Sequence, residues 1–157
     1  MVYALIALVV LLDQVTKLLI TNLFAPNKTF PIITDVLHLT YHTNTGAAWG
    51  ILQDARWVFL VFSTLAILAI LAYLIFKKQK PRGFGISLAL ICGGGIGNMV
   101  DRVRLGYVVD FVDFRLIDFP LFNLADSCVC IGTALFVFWF ISSEIAAKKS
   151  KTDTTDV

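Results

Sequence analysis

The stretch WVFLVFSTLAILAILAYLIF, residues 57–76, contains no charged side chain. A helix rises about 1.5 Å per residue, so a segment of this length reaches about 30 Å, the thickness of a bilayer's hydrocarbon core. Only Ser63, Thr64 and Tyr73 interrupt its apolar run. A segment this long and this poor in polar groups is stable in lipid, and it makes the chain a membrane protein before any motif is weighed.

Three more stretches fit the same length. They cover about residues 2–24, 84–103 and 124–143. The first carries Asp13, Gln14 and Lys17 inside it, the third is loosened by glycines, and the fourth has Asp126 near its start. The whole chain, 157 residues long, is 58% apolar, above the roughly 45–50% of soluble domains. A formal charge of +2 is too small to point to nucleic acid. The expected fold class is an all-α membrane protein, a bundle of four transmembrane helices. Nothing basic precedes Lys17 and the first apolar run is long, so that segment reads as a retained anchor and not a cleaved signal peptide.

The basic residues orient the bundle. Lys77, Lys78, Lys80 and Arg82 fill the link between spans two and three, and Lys148, Lys149 and Lys151 follow span four. Positive loops stay cytoplasmic, which places both termini inside and the links 25–56 and 104–123 outside. Seven of the eleven acids lie in those outer links or at their borders. Residues 1–147 read as one membrane-embedded domain and 148–157 as a polar tail without fixed structure.

The outer links hold more than connectors. VLHLTYH (36–42) nearly alternates apolar and polar residues, with turn signals in NKTFP before it and NTG after it. That pattern predicts a strand, hence a small β element within 25–56. AAWGIL (47–52) suits a short helical or re-entrant piece, and Trp49 and Trp57 suit the aromatic belt at the interface. Residues 104–122 are apolar but broken by charges and Pro120, which predicts an amphipathic segment flat on the outer leaflet. Cys92, Cys128 and Cys130 lie within spans and read as small buried hydrophobes.

Polar residues in or beside a span carry the chemistry. An ionisable group at a helix centre costs at least about 2.5–3.5 kcal/mol. Asp13 and Lys17 are four apart and can pair on one helix face, either to lock span one against its neighbours or to serve a site. Gly93 and Gly97 form a GxxxG, which lets helices approach closely. Asn98, Asp101 and Arg102 follow at spacings that let all three face one way. Asn123 is a natural N-cap for span four, with Asp126 in its first turn, so Asp126 has a structural reading as well as a catalytic one. Asp113 and Asp118 flank Arg115 and read as interfacial charges that reach water.

His38 and His42 have no partner at metal-ligand spacing, and no HExxH is present. No serine has a placed base. Two carboxylates at the outer edge of a bilayer can instead share a proton and activate water, with no metal or cofactor. Asp110 and Asp126 are separated by a loop that Pro120 can bend. Physics allows that pair without choosing it over Asp101 or Asp113. A proton- or ion-coupled transporter is the alternative, although no internal repeat is visible.

DQVTK (13–17), NTGAAWG (44–50), GGGIGNMVDR (93–102), VVDF (108–111) and FNLADS (122–127) occur in an order that resembles the lipoprotein signal peptidase family, also called signal peptidase II. The resemblance runs over about residues 5–145. It implies a four-helix bundle with a small outer β-cradle and an interfacial amphipathic helix, in the bacterial cytoplasmic membrane, with the active site near the outer face. It implies that Asp110 and Asp126 are the catalytic dyad of an aspartic endopeptidase. Asn44, Gly46, Asn98, Arg102, Asn123, Asp13, Lys17 and Asp101 would bind substrate or support the site. The implied substrates are prolipoproteins whose lipobox Cys carries diacylglycerol, cleaved just before that Cys. The implied inhibitors are globomycin-type cyclic peptides, with membrane lipid as the other partner and the chain acting as a monomer. The outer link could close over substrate, with Gly46 and Gly50 as flexible points.

Overall fold

The computed structural model describes residues 1–46, 53–77, 81–117 and 119–153. Helix α1 spans Val2–Leu23, strand β1 Thr29–Ile33, strand β2 Leu37–Asn44, helix α2 Arg56–Phe76 and helix α3 Arg82–Arg104. Strand β3 spans Val108–Phe114, a 3-10 turn Arg115–Ile117, and helix α4 Leu124–Asp153. All four helices are long and apolar enough to cross a membrane. The spans expected from composition therefore match the helices to within a few residues. The exception is the C-terminal end, where α4 continues as helix through Asp153 into the expected tail. Its short run of lysines follows a helix long enough to propagate through them, and Lys is a good helix former.

The centre of the bundle is α3, not the most apolar span. In α3, 44% of the spanning stretch is buried, against 11% in α2. Lipid tails are as apolar as leucine, so hydrophobicity does not select the central helix; close backbone approach does. A Cβ on Gly93 would lie 2.8 Å from Val9 Cβ, and one on Gly97 would lie 2.5 Å from Asp13 Oδ2. The GxxxG face therefore packs on α1. A Cβ on Gly94 would strike the carbonyl oxygen of Ala125, so α4 sits against the adjacent face. Ile67 and Leu74 of α2 join Leu88, Ala89 and Cys92 of α3 in the apolar core. Cys92 is buried as expected, but Cys128 is half-buried and Cys130 exposed.

The three strands form one antiparallel sheet in the order β1-β2-β3. The strand expected at 36–42 is β2. Leu39 pairs with Val112 and His42 with Asp110, so three steps on β2 match two on β3. This bulge shifts the alternation, and it leaves His38 and Tyr41 buried with His42 exposed. Ile20, Tyr41, Val109 and Phe111 pack together and dock the sheet on the end of α1.

The amphipathic segment expected at 104–122 is built around strand β3 and the 3-10 turn that follows it. β3 supplies the partner that β2 needs, and Phe122 bonds back onto it through Phe122 N to Val112 O at 3.1 Å. With neighbours on both edges and burial on both faces, its first four residues show no alternation, which hid the strand. Asp113 does not reach water as expected. It is buried, and its Oδ2 accepts from Arg115 Nε at 2.9 Å and Thr40 Oγ1 at 2.7 Å. The readings placed on residues 47–52, including Trp49 and Gly50, on Lys78 and Lys80, and on Asp118 lie outside the described residues.

Candidate active site

Asp126 occupies the third position of α4. Asp126 N donates to Asn123 Oδ1 at 2.9 Å, and Asn123 N donates to Asp126 Oδ2 at 3.1 Å. This is a reciprocal capping box, so the expected N-cap is real. The cap uses only one carboxylate oxygen. Asp126 Oδ1 accepts instead from Asn98 Nδ2 at 2.7 Å, on α3. Capping and site-building are two jobs of one side chain.

Asp110 sits on β3 and is 1% exposed. Its Oδ1 accepts from Asn123 Nδ2 at 2.7 Å and its Oδ2 from Asn44 Nδ2 at 2.9 Å. Asn123 thus touches both aspartates. It also donates to Asn98 Oδ1 at 3.1 Å, which closes a chain Asp110–Asn123–Asn98–Asp126. The amide orientations are forced by partners that can only donate. Lys17 Nζ donates to Asn98 Oδ1 at 2.8 Å, turning the Asn98 NH₂ toward Asp126. The Asp126 N–H does the same for Asn123, turning its NH₂ toward Asp110.

All four oxygens of the pair therefore hold a protein donor. Burial, and next the charge of Asp126, push the Asp110 carboxyl up from 3.8 to about 7, against the pull of the Asn44 and Asn123 hydrogen bonds and the charge of Lys17. The Asp110 carboxyl therefore keeps its proton to a much higher pH than a free carboxyl does.

Both carboxylates line a cavity of 790 Å³. Its walls include Phe59 to Ile70 on one face of α2 and Ile91 to Arg102 on one face of α3. Eleven helical steps make it about 16 Å deep, running from the acids into the apolar interior. Ser127, Val129 and Cys130 of α4 complete the lining, so the exposed Cys130 faces this cavity. Arg102 stands at the mouth, where Nη2 donates to Gly46 O at 3.0 Å and its guanidinium lies 4.5 Å from the Phe59 ring.

The residues singled out in the sequence assemble, with divided roles. Asn44, Asn98, Arg102, Asn123, Asp110 and Asp126 meet around the carboxylates. Gly46 joins through its backbone, and its N–H donates to Asn44 Oδ1 at 2.9 Å. Asp101 turns away from the cavity toward α1, where Lys17 Nζ is 2.9 Å from its Oδ2. Asp13 and Lys17 pair at 2.9 Å as their spacing predicts.

Gln14 was not assigned a role. Its Nε2 donates to Asp101 Oδ1 at 3.0 Å and to Gly97 O at 3.2 Å. The available signal was an amide inside an apolar span. No local signal marked Phe59.

The family described as Signal peptidase (SPase) II matches residues 5–142. The chain belongs to the signal peptidase II family. A lipoprotein signal peptidase of Halothermothrix orenii is 46% identical over 92% of this chain and 97% of its own length. One of Halalkalibacterium halodurans is 41% identical over 96% of this chain and 99% of its own. A bacterial membrane enzyme solved by the in meso method superposes with a TM-score of 0.86 at 34% identity, covering 91% of this chain and 88% of that one. Family membership makes the protein an aspartic peptidase of the membrane, and no comparison supports the transporter reading.

Proposed function

We propose that this chain removes the signal peptide from prolipoproteins, with Asp110 and Asp126 as the catalytic pair. The observation that carries the assignment is the pair itself: two carboxylates joined through Asn123 and Asn98 at the head of a cavity that continues into the apolar bundle. A signal peptide is an apolar helix, and a lipidated cysteine brings acyl chains beside it. A cavity with acids at one end and about 16 Å of apolar wall suits both.

The chemistry follows from one shared proton. The Asp126 carboxylate takes a proton from water as that oxygen attacks the scissile carbonyl carbon. The Asp110 carboxyl gives its proton to the carbonyl oxygen, forming a gem-diol. Asp126 then protonates the amide nitrogen as the C–N bond breaks. Asp110 recovers a proton from one diol hydroxyl, leaving a carboxylic acid and a free amine. The pair returns to its starting state. Asn98 and Asn123 hold the two carboxyls in register, and Asn44 supports Asp110 from the sheet. Arg102 and the Gly46 backbone stand where the extended part of a substrate would enter.

The substrate class is a prolipoprotein with diacylglycerol on its lipobox Cys, cut just before that residue. Residues 1–147 form the peptidase domain, acting as a monomer. Lys77, Arg82 and the lysines at the end of α4 support cytoplasmic termini. The site then faces the outer side of the cytoplasmic membrane, and a globomycin-type cyclic peptide would compete for the cavity.

The test uses purified full-length protein in detergent with a diacylglyceryl-modified prolipoprotein, following product mass. Asp110→Asn and Asp126→Asn should each lower kcat by at least about 10²–10⁴. Because Asp110 must carry a proton, kcat/KM should fall as pH rises through about 7. Full activity in either folded variant would remove the pair from catalysis.

A further inference from the structure

Two peptide N–H groups stand immediately before the two aspartates. Val109 N donates to Asp101 Oδ2 at 3.1 Å, and Ala125 N donates to Asp13 Oδ1 at 3.1 Å. The Ala125 N–H belongs to the first turn of α4, where helix donors have no partner within the helix. Its acceptor arrives from α1, 112 residues away in sequence. Each acid is buried, with Asp13 0% and Asp101 3% exposed.

Lys17 joins the two acids. Its ammonium lies 2.9 Å from Asp13 Oδ2, 2.9 Å from Asp101 Oδ2 and 2.8 Å from Asn98 Oδ1. Three donors meet three acceptors. Gln14 Nε2 bridges the same acids, at 3.2 Å from Asp13 Oδ2 and 3.0 Å from Asp101 Oδ1. Gly97 makes room for the arrangement, since a Cβ there would sit 2.5 Å from Asp13 Oδ2.

We propose that Asp13 and Asp101, linked through Lys17 and Gln14, are positioning residues that set the spacing of Asp110 and Asp126 by gripping the peptide N–H before each. The inference rests on the reading of Asp110 and Asp126 as the catalytic pair. Apart from the clamp, β3 and the start of α4 are tied by the backbone pairing of Phe122 with Phe111 and Val112 and by the side chain of Asn123, and neither of these engages the N–H of Val109 or Ala125. A buried ion pair serving stability alone would lock α1 on α3 and needs no bond to either peptide. These bonds instead reach β3 and α4, the two elements that carry the reacting groups. Asp13 and Asp101 do not line the cavity, and the clamp meets it only through the Lys17 bond to Asn98, so loss of either acid acts on turnover more than on binding.

The experiment compares Asp13→Asn, Asp13→Leu, Asp101→Asn and Asp101→Leu in the full chain, measuring kcat, KM and thermal midpoint with the lipidated prolipoprotein. Asn keeps an oxygen that accepts the N–H; Leu keeps volume and removes the acceptor. Folded Leu variants should lose about 100-fold in kcat, the scale of an ångström-sized misplacement. Their KM should stay within about threefold, and the Asn variants should keep kcat within about tenfold of the unaltered protein.

Should a Leu variant not fold, Asp13→Glu and Asp101→Glu keep the charge for Lys17 but push the peptide by one methylene. They should lose about tenfold or more in kcat. Folded Leu or Glu variants with unaltered kcat, a loss confined to KM, or Asn variants that fall as far as Leu would each overturn the proposal. Activity retained by Asp110→Asn and Asp126→Asn would remove the catalytic pair, and the clamp with it. If those two abolish cleavage while the Leu and Glu variants keep kcat, the clamp alone is wrong.

Discussion

Replacing Asp110 with Asn should make the protein relatively more stable as pH rises. Burial and the charge of Asp126 raise the Asp110 carboxyl from 3.8 to about 7 in the folded chain. The folded state therefore holds this proton more tightly than the unfolded chain does. Below about pH 4 both states are protonated and the group is neutral for stability. Between 3.8 and 7 the folded state loses ground with each step of pH, because ionisation is easier in the unfolded chain. Above about 7 the full difference is present, worth about 4 kcal/mol at 1.36 kcal/mol per pH step.

The amide of the Asp110→Asn variant never ionises, so it escapes this cost. It introduces a constant cost of its own. Asp110 accepts from Asn123 Nδ2 and Asn44 Nδ2 on separate oxygens, and an amide has one oxygen for the two donors. One donor left facing the new NH₂ costs about 1–3 kcal/mol at every pH. The difference between variant and parent isolates the titration. From about pH 5 to 8.5 the stability of Asp110→Asn relative to the parent should rise by about 2–3 kcal/mol. On the scale of a chain this long, that is about 5–10 °C in thermal midpoint. The assay is thermal unfolding in detergent, followed by tryptophan fluorescence at both pH values. A difference in midpoint that stays flat with pH, or shrinks as pH rises, would refute the reasoning.

Gly97→Ala should lower the thermal midpoint, because the new methyl meets the Asp13 carboxylate at 2.5 Å and overpacking of this kind costs about 1–3 kcal/mol. Gly95→Ala, whose methyl would meet Ile67 at 3.5 Å, should leave the midpoint within about 0.5 kcal/mol of the parent. Asp113→Asn should reduce kcat by less than about threefold, since Asp113 bonds Arg115 and Thr40 away from the cavity. Cleavage by the parent should survive EDTA at an unchanged rate, and loss of cleavage with recovery on added zinc would replace the two-carboxylate chemistry with a metal.

The sequence carried the site further than it carried the sheet. Asp13 and Lys17 declared their pairing by helical spacing, and Asn123 and Asp126 by the geometry of a cap. Those signals are local, because the partners lie within one helical turn. The role of Gln14 was not legible, and Asn98 was placed at the site by the family resemblance without its partners. Asn98 becomes a bridge only because Lys17 arrives from α1 and Asp126 from α4. Asp113 looked like a surface charge because Thr40, which bonds it, lies on the neighbouring strand and is 73 residues away in sequence. β3 was misread because partners on both sides erased the alternation by which strands are recognised.

What composition and order settled alone was the set of spans, the strand at 36–42 and the chemical class of the site. A bilayer imposes its thickness on any helix that crosses it, so length and apolarity are readable residue by residue. The choice of α3 as the central helix, the depth of the cavity and the raised pKa of Asp110 belong to the tertiary structure. Each depends on groups tens of residues apart reaching contact distance. Electrostatics and close packing act across that distance in space, and a one-dimensional pattern does not record it.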